Sequence, residues 1–361
     1  MKSRFLPLLA SLLLAFSVQA KPRHGKPEAP PKPLGPRPAL VAFADELAAA
    51  QGWDAAPLRD QLVQALDLPR VKQLILPAGV GTAKNWAAYR DRFIEPRRLE
   101  AGLAFWAEHE AALARAESQF GVPAEVVVGI IGVETFYGRI TGGFKVLDAL
   151  ATLAFDFPTE HPRAADRQAF FRSELAEFLK LCRENGLDAT EVRGSYAGAL
   201  GWPQFMPGSW RKHAVDFDGD GHIDLVISPV DAIGSVAHYL SEYGWKPGET
   251  THYSVKLPAD RRERARLLAP DIKPTFTADD LVAAGAAPSE AAREHQGPMA
   301  VIELQNGPKK APTVVLGTQN FWVVTRYNWS AYYAMAVIEL GRAVKARRPQ
   351  APLAPSASAP G

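Results

Sequence analysis

The sequence predicts a mainly α protein (class α+β), a helical body that carries a small β-containing insert. Two patterns predict it. Apolar residues recur at helical spacing through Leu40–Gln51, Pro57–Ala65 and Arg98–Phe120, and again through Ala124–Tyr137, Arg167–Asn185, Val230–Tyr243 and Ser330–Arg347. The stretch from Thr250 to Thr325 differs: His252–Leu257, Met299–Leu304, Thr313–Leu316 and Phe321–Thr325 read as short strands broken by Gly and Pro. The final helix is expected to return to the body after that insert. With 47% hydrophobic and 22% charged residues in 361, the chain has enough apolar material for one large core or two smaller ones.

The ends are of another composition. Lys2 and Arg4 precede an apolar run from Phe5 to Phe16, and Val18-Gln19-Ala20 forms a small-residue cleavage site. Residues 1–20 therefore read as a secretory signal peptide, too short and wrongly flanked for a transmembrane segment. No Cys follows the run, so a lipid anchor is not expected and the exported protein should be soluble. Lys21–Pro38 is dense in Pro and basic residues and predicts an extended, disordered linker; Arg347–Gly361 predicts a disordered tail. The linker's charge could hold anionic wall polymers or lipid surfaces loosely, or serve as a solvated tether. The single cysteine, Cys182, excludes an intramolecular disulfide and suits a small buried side chain. A formal net charge of +2 gives no case for nucleic-acid binding.

The candidate acid lies in the fourth helical stretch, Ala124–Tyr137. Pro123 suits a first turn, where its missing N–H costs nothing. Val126, Val127, Val128, Ile130, Ile131, Val133 and Phe136 then leave almost no polar face, and a helix apolar all round must be buried. Glu134 stands near its end, ahead of an expected stop at Gly138. A carboxyl there is costly unless paired, hydrogen-bonded or protonated. Burial favours the neutral form, which is the form a general acid needs. Arg139, five residues on, is the alternative partner but is poorly spaced for a helix-face pair. From the residues alone, a general acid and a structural carboxylate both stand.

The segment Gly129-Ile-Ile-Gly-Val-Glu134-Thr-Phe-Tyr-Gly-Arg139, followed by Leu147-Asp-Ala-Leu-Ala-Thr-Leu153, resembles the catalytic segment of the membrane-bound lytic transglycosylase B family. The likeness continues in Gly194–Pro207, Asp231–Tyr239 and Arg326-Tyr-Asn328-Trp-Ser-Ala-Tyr-Tyr333, in the family's order. The resemblance implies a lysozyme-like helical core with an additional helical domain, spanning 39–346, with the β-containing insert at about 250–325. It implies that Glu134 is the catalytic acid/base and that peptidoglycan glycan strands are the substrate. Glu134 would protonate the oxygen between N-acetylmuramic acid and N-acetylglucosamine. It would then take a proton from the muramic C6 hydroxyl, giving a 1,6-anhydro end. Most glycosidases need two carboxylates across the bond; no second acidic residue accompanies Glu134 in the matched motifs.

The resemblance also places Ser195, Gln204, Tyr239, Asn328 and Tyr333 in a substrate groove, and Tyr89 on a shorter likeness. The residues themselves leave other roles open: turn chemistry for Ser195 and Gln204, core packing for the tyrosines, and helix N-capping for Asn328 ahead of Ser330. Asp216-Phe-Asp218-Gly-Asp220-Gly-His222-Ile-Asp224 reproduces the first part of a calcium-binding loop, with the His222 carbonyl as a further ligand. The twelfth position is Ile227, where a bidentate Glu is usual. The related loops close on an Asp that aligns with Asp231, one residue further away here. Ser228-Pro229-Val230-Asp231 also reads as a capping helix start. The expected cofactor is a structural calcium, with no organic cofactor.

Two other functions remain in view, a hydrolytic muramidase using the same acid and a non-catalytic peptidoglycan-binding protein. A zinc peptidase is poorly supported, because the eight His residues are scattered and none forms H-E-x-x-H, and there is no G-x-S-x-G nucleophile elbow, since Gly194-Ser195 is followed by Tyr196-Ala197. The expected location is the periplasm, and proteins of wall synthesis or division are the expected partners besides the glycan.

Overall fold

The computed structural model describes residues 30–77 and 84–349. The signal peptide, most of the linker and the tail beyond Pro349 lie outside the described residues. The linker's end departs from expectation. Lys32–Pro33 pairs antiparallel with Leu66–Asp67, and the Leu34 amide donates to the Ala65 carbonyl at 2.8 Å. Leu34 buries its side chain at the edge of the core, an anchor in a segment otherwise lacking apolar residues. Proline allows this because an edge pairing two residues long needs few N–H donors.

Pro38–Gln51 and Ala55–Gln64 form an antiparallel pair, the second capped by the Asp54 carboxylate on the Ala56 amide at 3.0 Å. The stretch expected as one helix from Arg98 to Phe120 is two, Pro96–Glu108 and Glu110–Phe120. The break falls at His109, which leaves helical geometry with its ring edge-on to Phe105. The glutamate helix, Ala124–Thr135, ends two residues earlier than the sequence suggests. Val146–Phe155, not anticipated as a helix, packs on Ala164–Glu184; it is buried on nearly every face and so shows no period.

The glutamate helix packs most extensively on the last helix, Ala331–Lys345. Two glycines allow that approach: a Cβ on Gly129 would lie 2.2 Å from the Val337 carbonyl oxygen, and one on Gly341 would lie 1.9 Å from that of Glu125. Their lack of a side chain fixes how Tyr333, in the first turn of the last helix, meets Glu134.

The insert is an antiparallel sheet in the order Ala287–Pro288, His252–Lys256, Thr313–Gly317, Ala300–Leu304. Short helices at Arg261–Leu268, Ala278–Ala283 and Glu290–Arg293 accompany it, and Leu267, Leu281, Met299, Val301 and Leu316 give it a small core of its own. The expected strand Phe321–Thr325 is instead part of a helix, Gln319–Tyr327. Its aromatic and β-branched residues favour a strand locally, but the Thr318 hydroxyl caps the Asn320 amide and Phe321 and Val324 bury one helical face. No single helix among the described residues is long and apolar enough to cross a membrane.

Candidate active site

Glu134 sits in the last turn of its helix with 3% of its surface exposed. The helix stops because Phe136 and Tyr137 both take left-handed conformations, φ 52° and 56°. Side chains there cost energy that the surroundings must hold in place. Three contacts do so. The Thr135 hydroxyl donates to the Trp202 carbonyl at 3.0 Å, and the Gly138 amide donates back to that hydroxyl at 3.0 Å. Arg98, buried, donates from Nη1 to the Gly132 carbonyl at 2.5 Å while its guanidinium lies 4.5 Å over the Phe136 ring.

Among the described residues the carboxyl has one hydrogen-bond partner, the Tyr333 hydroxyl, which donates to Oε1 at 2.6 Å. Burial pushes its pKa up to about 8, with the Tyr333 bond pulling the other way. The alternative pairing with Arg139 is not made: that guanidinium stacks over Phe136 at 5.0 Å. Among the described residues no basic side chain reaches ion-pair distance of Glu134, and no second carboxylate contributes to its ionisation. A neutral acid at neutral pH is the state this setting selects.

Tyrosines surround it. Tyr333 is buried, and Tyr327 stacks on it with ring centroids 6.4 Å apart and planes at 14°. The Tyr327 hydroxyl donates to the Pro203 carbonyl at 2.6 Å, tying the Gly-rich loop to this wall. Tyr89, half-buried, is near enough for the Glu134 charge to raise its phenol, pushed mainly by burial to about 12. Its ring lies edge-on to Tyr332 at 6.0 Å.

The other expected groove residues divide. Tyr239 is a core aromatic: it is buried, donates to the Arg326 carbonyl at 2.7 Å and packs on Phe205, Tyr243 and Tyr327. Ser195 Oγ accepts from the Ala199 amide at 2.9 Å, a turn role. Gln204 is left-handed at φ 51° and donates to the carbonyls of Thr141 and Gly201, both at 3.0 Å, bracing the loop. Asn328 is buried just past the helix Gln319–Tyr327 and does not cap the last helix; the Ser330 hydroxyl does, accepting from the Tyr333 amide at 3.3 Å. Glu134, Tyr333 and Tyr89 are thus brought together, with Asn328 beside them in sequence and Tyr239 behind. Sequence reasoning missed Tyr327 and Arg98. Tyr327 lies inside the quoted Arg326–Tyr333 motif, but six residues from Tyr333 and across a helix break, so no periodicity links them.

In the acidic loop, oxygens of Asp216, Asp218 and Asp231 lie within 4.8 Å of one another. Asp231 is 1% exposed despite the longer spacing; its Oδ1 accepts from the Phe217 amide at 2.7 Å and its Oδ2 from Asp224 at 2.8 Å. Helix capping falls to Ser228, whose hydroxyl accepts from the Asp231 amide at 3.1 Å. Burial pushes the Asp231 carboxyl up and neighbouring Asp218 adds to it. A hard cation suits such a donor set. Asp220 and His222 are exposed and stand apart: the Asp220 carboxylate accepts from the His222 amide at 2.8 Å. Ile227, in the usual Glu position, is 78% exposed.

A mainly helical, lysozyme-like body with one buried, unpaired acid at a helix end defines a class of glycan-cleaving protein, and the chain belongs to the Transglycosylase SLT domain family, which matches residues 36–342. It is similar to the membrane-bound lytic murein transglycosylase B of Escherichia coli K12, 40% identical over 323 residues, 87% of this chain and 84% of that one. Among solved structures it resembles the E. coli lytic transglycosylase Slt35 in complex with calcium (38% identity, TM-score 0.75, 88% of this chain and 97% of that one). It also resembles Pseudomonas aeruginosa SltB3 in complex with NAG-anhNAM-pentapeptide (28% identity, TM-score 0.68, 86% of this chain and 80% of that one).

Proposed function

We propose that this chain is a lytic transglycosylase that cleaves the β-1,4 bond between N-acetylmuramic acid and N-acetylglucosamine in peptidoglycan, with Glu134 acting first as acid and then as base. The observation that carries the proposal is a single carboxyl, held neutral by burial and hydrogen-bonded, among the described residues, to Tyr333. Protonated Glu134 gives its proton to the glycosidic oxygen as the muramic C1–O bond breaks, and the N-acetylglucosamine leaves with that proton. The carboxylate, steadied by the Tyr333 hydroxyl, then takes the proton from the muramic C6 hydroxyl. O6 closes onto C1, so a 1,6-anhydro end forms, no water is consumed and Glu134 is protonated again. That no other carboxylate among the described residues acts on Glu134 supports this route over a two-carboxylate hydrolysis, and the anhydro sugar bound by P. aeruginosa SltB3 supports it independently. Arg98 and Thr135 position the helix end; Tyr89, Ser195, Gln204 and Asn328 are the proposed sugar contacts.

Calcium is the proposed structural cofactor, held by Asp216, Asp218 and Asp231, with Asp220 and the His222 carbonyl turning in on binding. The three converging carboxylates and the calcium complex of E. coli Slt35 support it. When bound, the ion would neutralise the loop's charge. Residues 1–20 support export to the periplasm, where the glycan lies. The test is clearing of purified cell-wall sacculi. Wild type should solubilise them and Glu134→Gln should lose roughly 10²-fold or more of the rate while remaining folded; a fully active, folded Glu134→Gln would refute the assignment.

A further inference from the structure

Three segments meet at Trp202: the end of the Glu134 helix, the Gly-rich loop that holds Trp202 itself, and the acidic loop. The Trp202 carbonyl accepts from the hydroxyl of the wholly buried Thr135 at 3.0 Å, and that hydroxyl takes the Gly138 amide at 3.0 Å. Toward the acidic loop, the Trp202 amide donates to the Leu225 carbonyl at 2.8 Å, and its indole Nε1 donates to the Val226 carbonyl at 3.1 Å. One residue therefore bonds the helix end on one side and the acidic loop on the other.

The packing around these bonds leaves little slack. A Cβ on Gly138, which is left-handed at φ 76°, would lie 2.6 Å from Trp202 Cη2, so the indole rests on the backbone that follows the helix. A Cβ on Gly201 would lie 2.1 Å from the Leu225 carbonyl oxygen, and glycine lets the two loops approach that closely. The Phe105 ring lies 5.9 Å from the indole and 5.3 Å from the Tyr137 ring. The turn that receives Trp202 is braced in its own right. The Asp224 carboxylate accepts the Val226 amide at 2.8 Å and the Ile227 amide at 2.9 Å, while the Asp224 amide donates to the Asp231 carboxylate at 2.8 Å.

We propose that Trp202 is a positioning residue for the acid, fastening the end of the Glu134 helix to the turn at 224–227 so that the acidic loop sets the aim of the carboxyl. The inference rests on the acid role proposed for Glu134. Phe136 and Tyr137 are left-handed, and such conformations persist only where the surroundings hold them. The half-buried indole covers that strained end. Without it the helix end relaxes, the carboxyl is no longer fixed against the Tyr333 hydroxyl, and water reaches it. A misplacement of about 1 Å at a reacting group can cost roughly 10²-fold in rate. The titratable and charged groups around the carboxyl are Tyr89, Tyr327 and Tyr333, with Arg98 on the Gly132 carbonyl and Arg139 over Phe136. All of them are retained in the variants below.

The test is the pH profile of kcat and KM on soluble glycan strands, measured well below the melting temperature of every variant. Trp202→Phe keeps a ring on Gly138 and loses the bond to Val226; Trp202→Ala loses the ring as well. Asp224→Ala frees the turn that receives the indole. Trp202→Phe should lower kcat roughly fivefold and Trp202→Ala roughly 10²-fold, with KM little changed. The high-pH limb of kcat should move down, by about one unit in Trp202→Ala and less in Trp202→Phe, because water now stabilises the carboxylate. Asp224→Ala should act in the same direction and add little to either Trp202 variant. Wild-type kcat in the folded variants, a rise in KM alone, or a fall in kcat with an unmoved limb each overturns the inference. So do effects of Asp224→Ala and the Trp202 substitutions that simply multiply. If Trp202→Ala does not fold, Trp202→Phe and Asp224→Ala carry the same comparison. Glu134→Gln is assayed beside them: full activity there refutes the acid itself. An inactive Glu134→Gln with unaffected Trp202 variants refutes only the positioning role.

Discussion

Replacing Glu134 by Gln should make the protein gain stability relative to wild type as pH rises from 5 to 8. The folded chain holds this carboxyl protonated up to about pH 8, whereas the ordinary value is 4.5. Folding above pH 4.5 must therefore return a proton to a group that the unfolded chain has ionised. The cost is absent below 4.5, grows through the interval, and is constant above the folded value. Each pH unit in the interval contributes about 1.4 kcal/mol, so the cost is about 3 kcal/mol at pH 7 and rises by about 3–4 kcal/mol between pH 5 and pH 8. Gln carries no such cost, and its carbonyl can accept the Tyr333 hydroxyl. Its extra N–H groups are left without partners at about 1–3 kcal/mol, an offset that does not depend on pH. The decisive quantity is therefore the change in the difference between the two proteins, not its value at one pH. At roughly 2–4 °C per kcal/mol, the melting difference between variant and wild type should move by roughly 6–16 °C in the variant's favour from pH 5 to pH 8. Thermal melts followed by circular dichroism at the two pH values measure it. A difference that stays constant, or that moves against the variant, refutes the claim that burial holds Glu134 as an acid.

Other outcomes follow from the same contacts. The lytic rate should fall as pH rises through about 8, where Glu134 ionises, and Tyr333→Phe should move that limb to higher pH because the hydroxyl that favours the carboxylate is gone; a limb that moves down contradicts the assigned role. Calcium at a hundredfold excess over its Kd should stabilise the wild type by about 2.7 kcal/mol and Asp231→Asn hardly at all, with melting in excess chelator against added calcium as the measurement. Gly341→Ala places a methyl 1.9 Å from the Glu125 carbonyl oxygen, and should lower stability by about 1–3 kcal/mol and the lytic rate with it, as the last helix moves Tyr333 away from Glu134.

Much of this architecture was legible in the residues, and where it was not the reason is physical. Glu134 was readable because an acidic residue in an otherwise apolar helix demands an explanation, and the family likeness supplied one. The insert was readable from Gly and Pro spacing, though Phe321–Thr325 misled because five strand-favouring residues were overruled by a Thr318 cap and a buried helical face. The helix Val146–Phe155 was invisible to periodicity because it is apolar throughout. Asp231 was uncertain by one residue of spacing, and only three-dimensional placement returns its carboxylate to the amides of Phe217 and Asp224. The Tyr327–Tyr333 stack and the Arg98 bond to Gly132 join residues far apart on different elements or across a break, and no local pattern encodes such contacts.

The central claim is that one carboxyl lends a proton and recovers it from the substrate itself. Digestion of purified sacculi in isotopically labelled water, with the soluble fragments weighed by mass spectrometry, tests it most directly. The account predicts muramic ends lighter than reducing ends by one water and free of the label. Reducing ends that carry the label would contradict it, because water, and not the C6 hydroxyl, would then have closed the reaction.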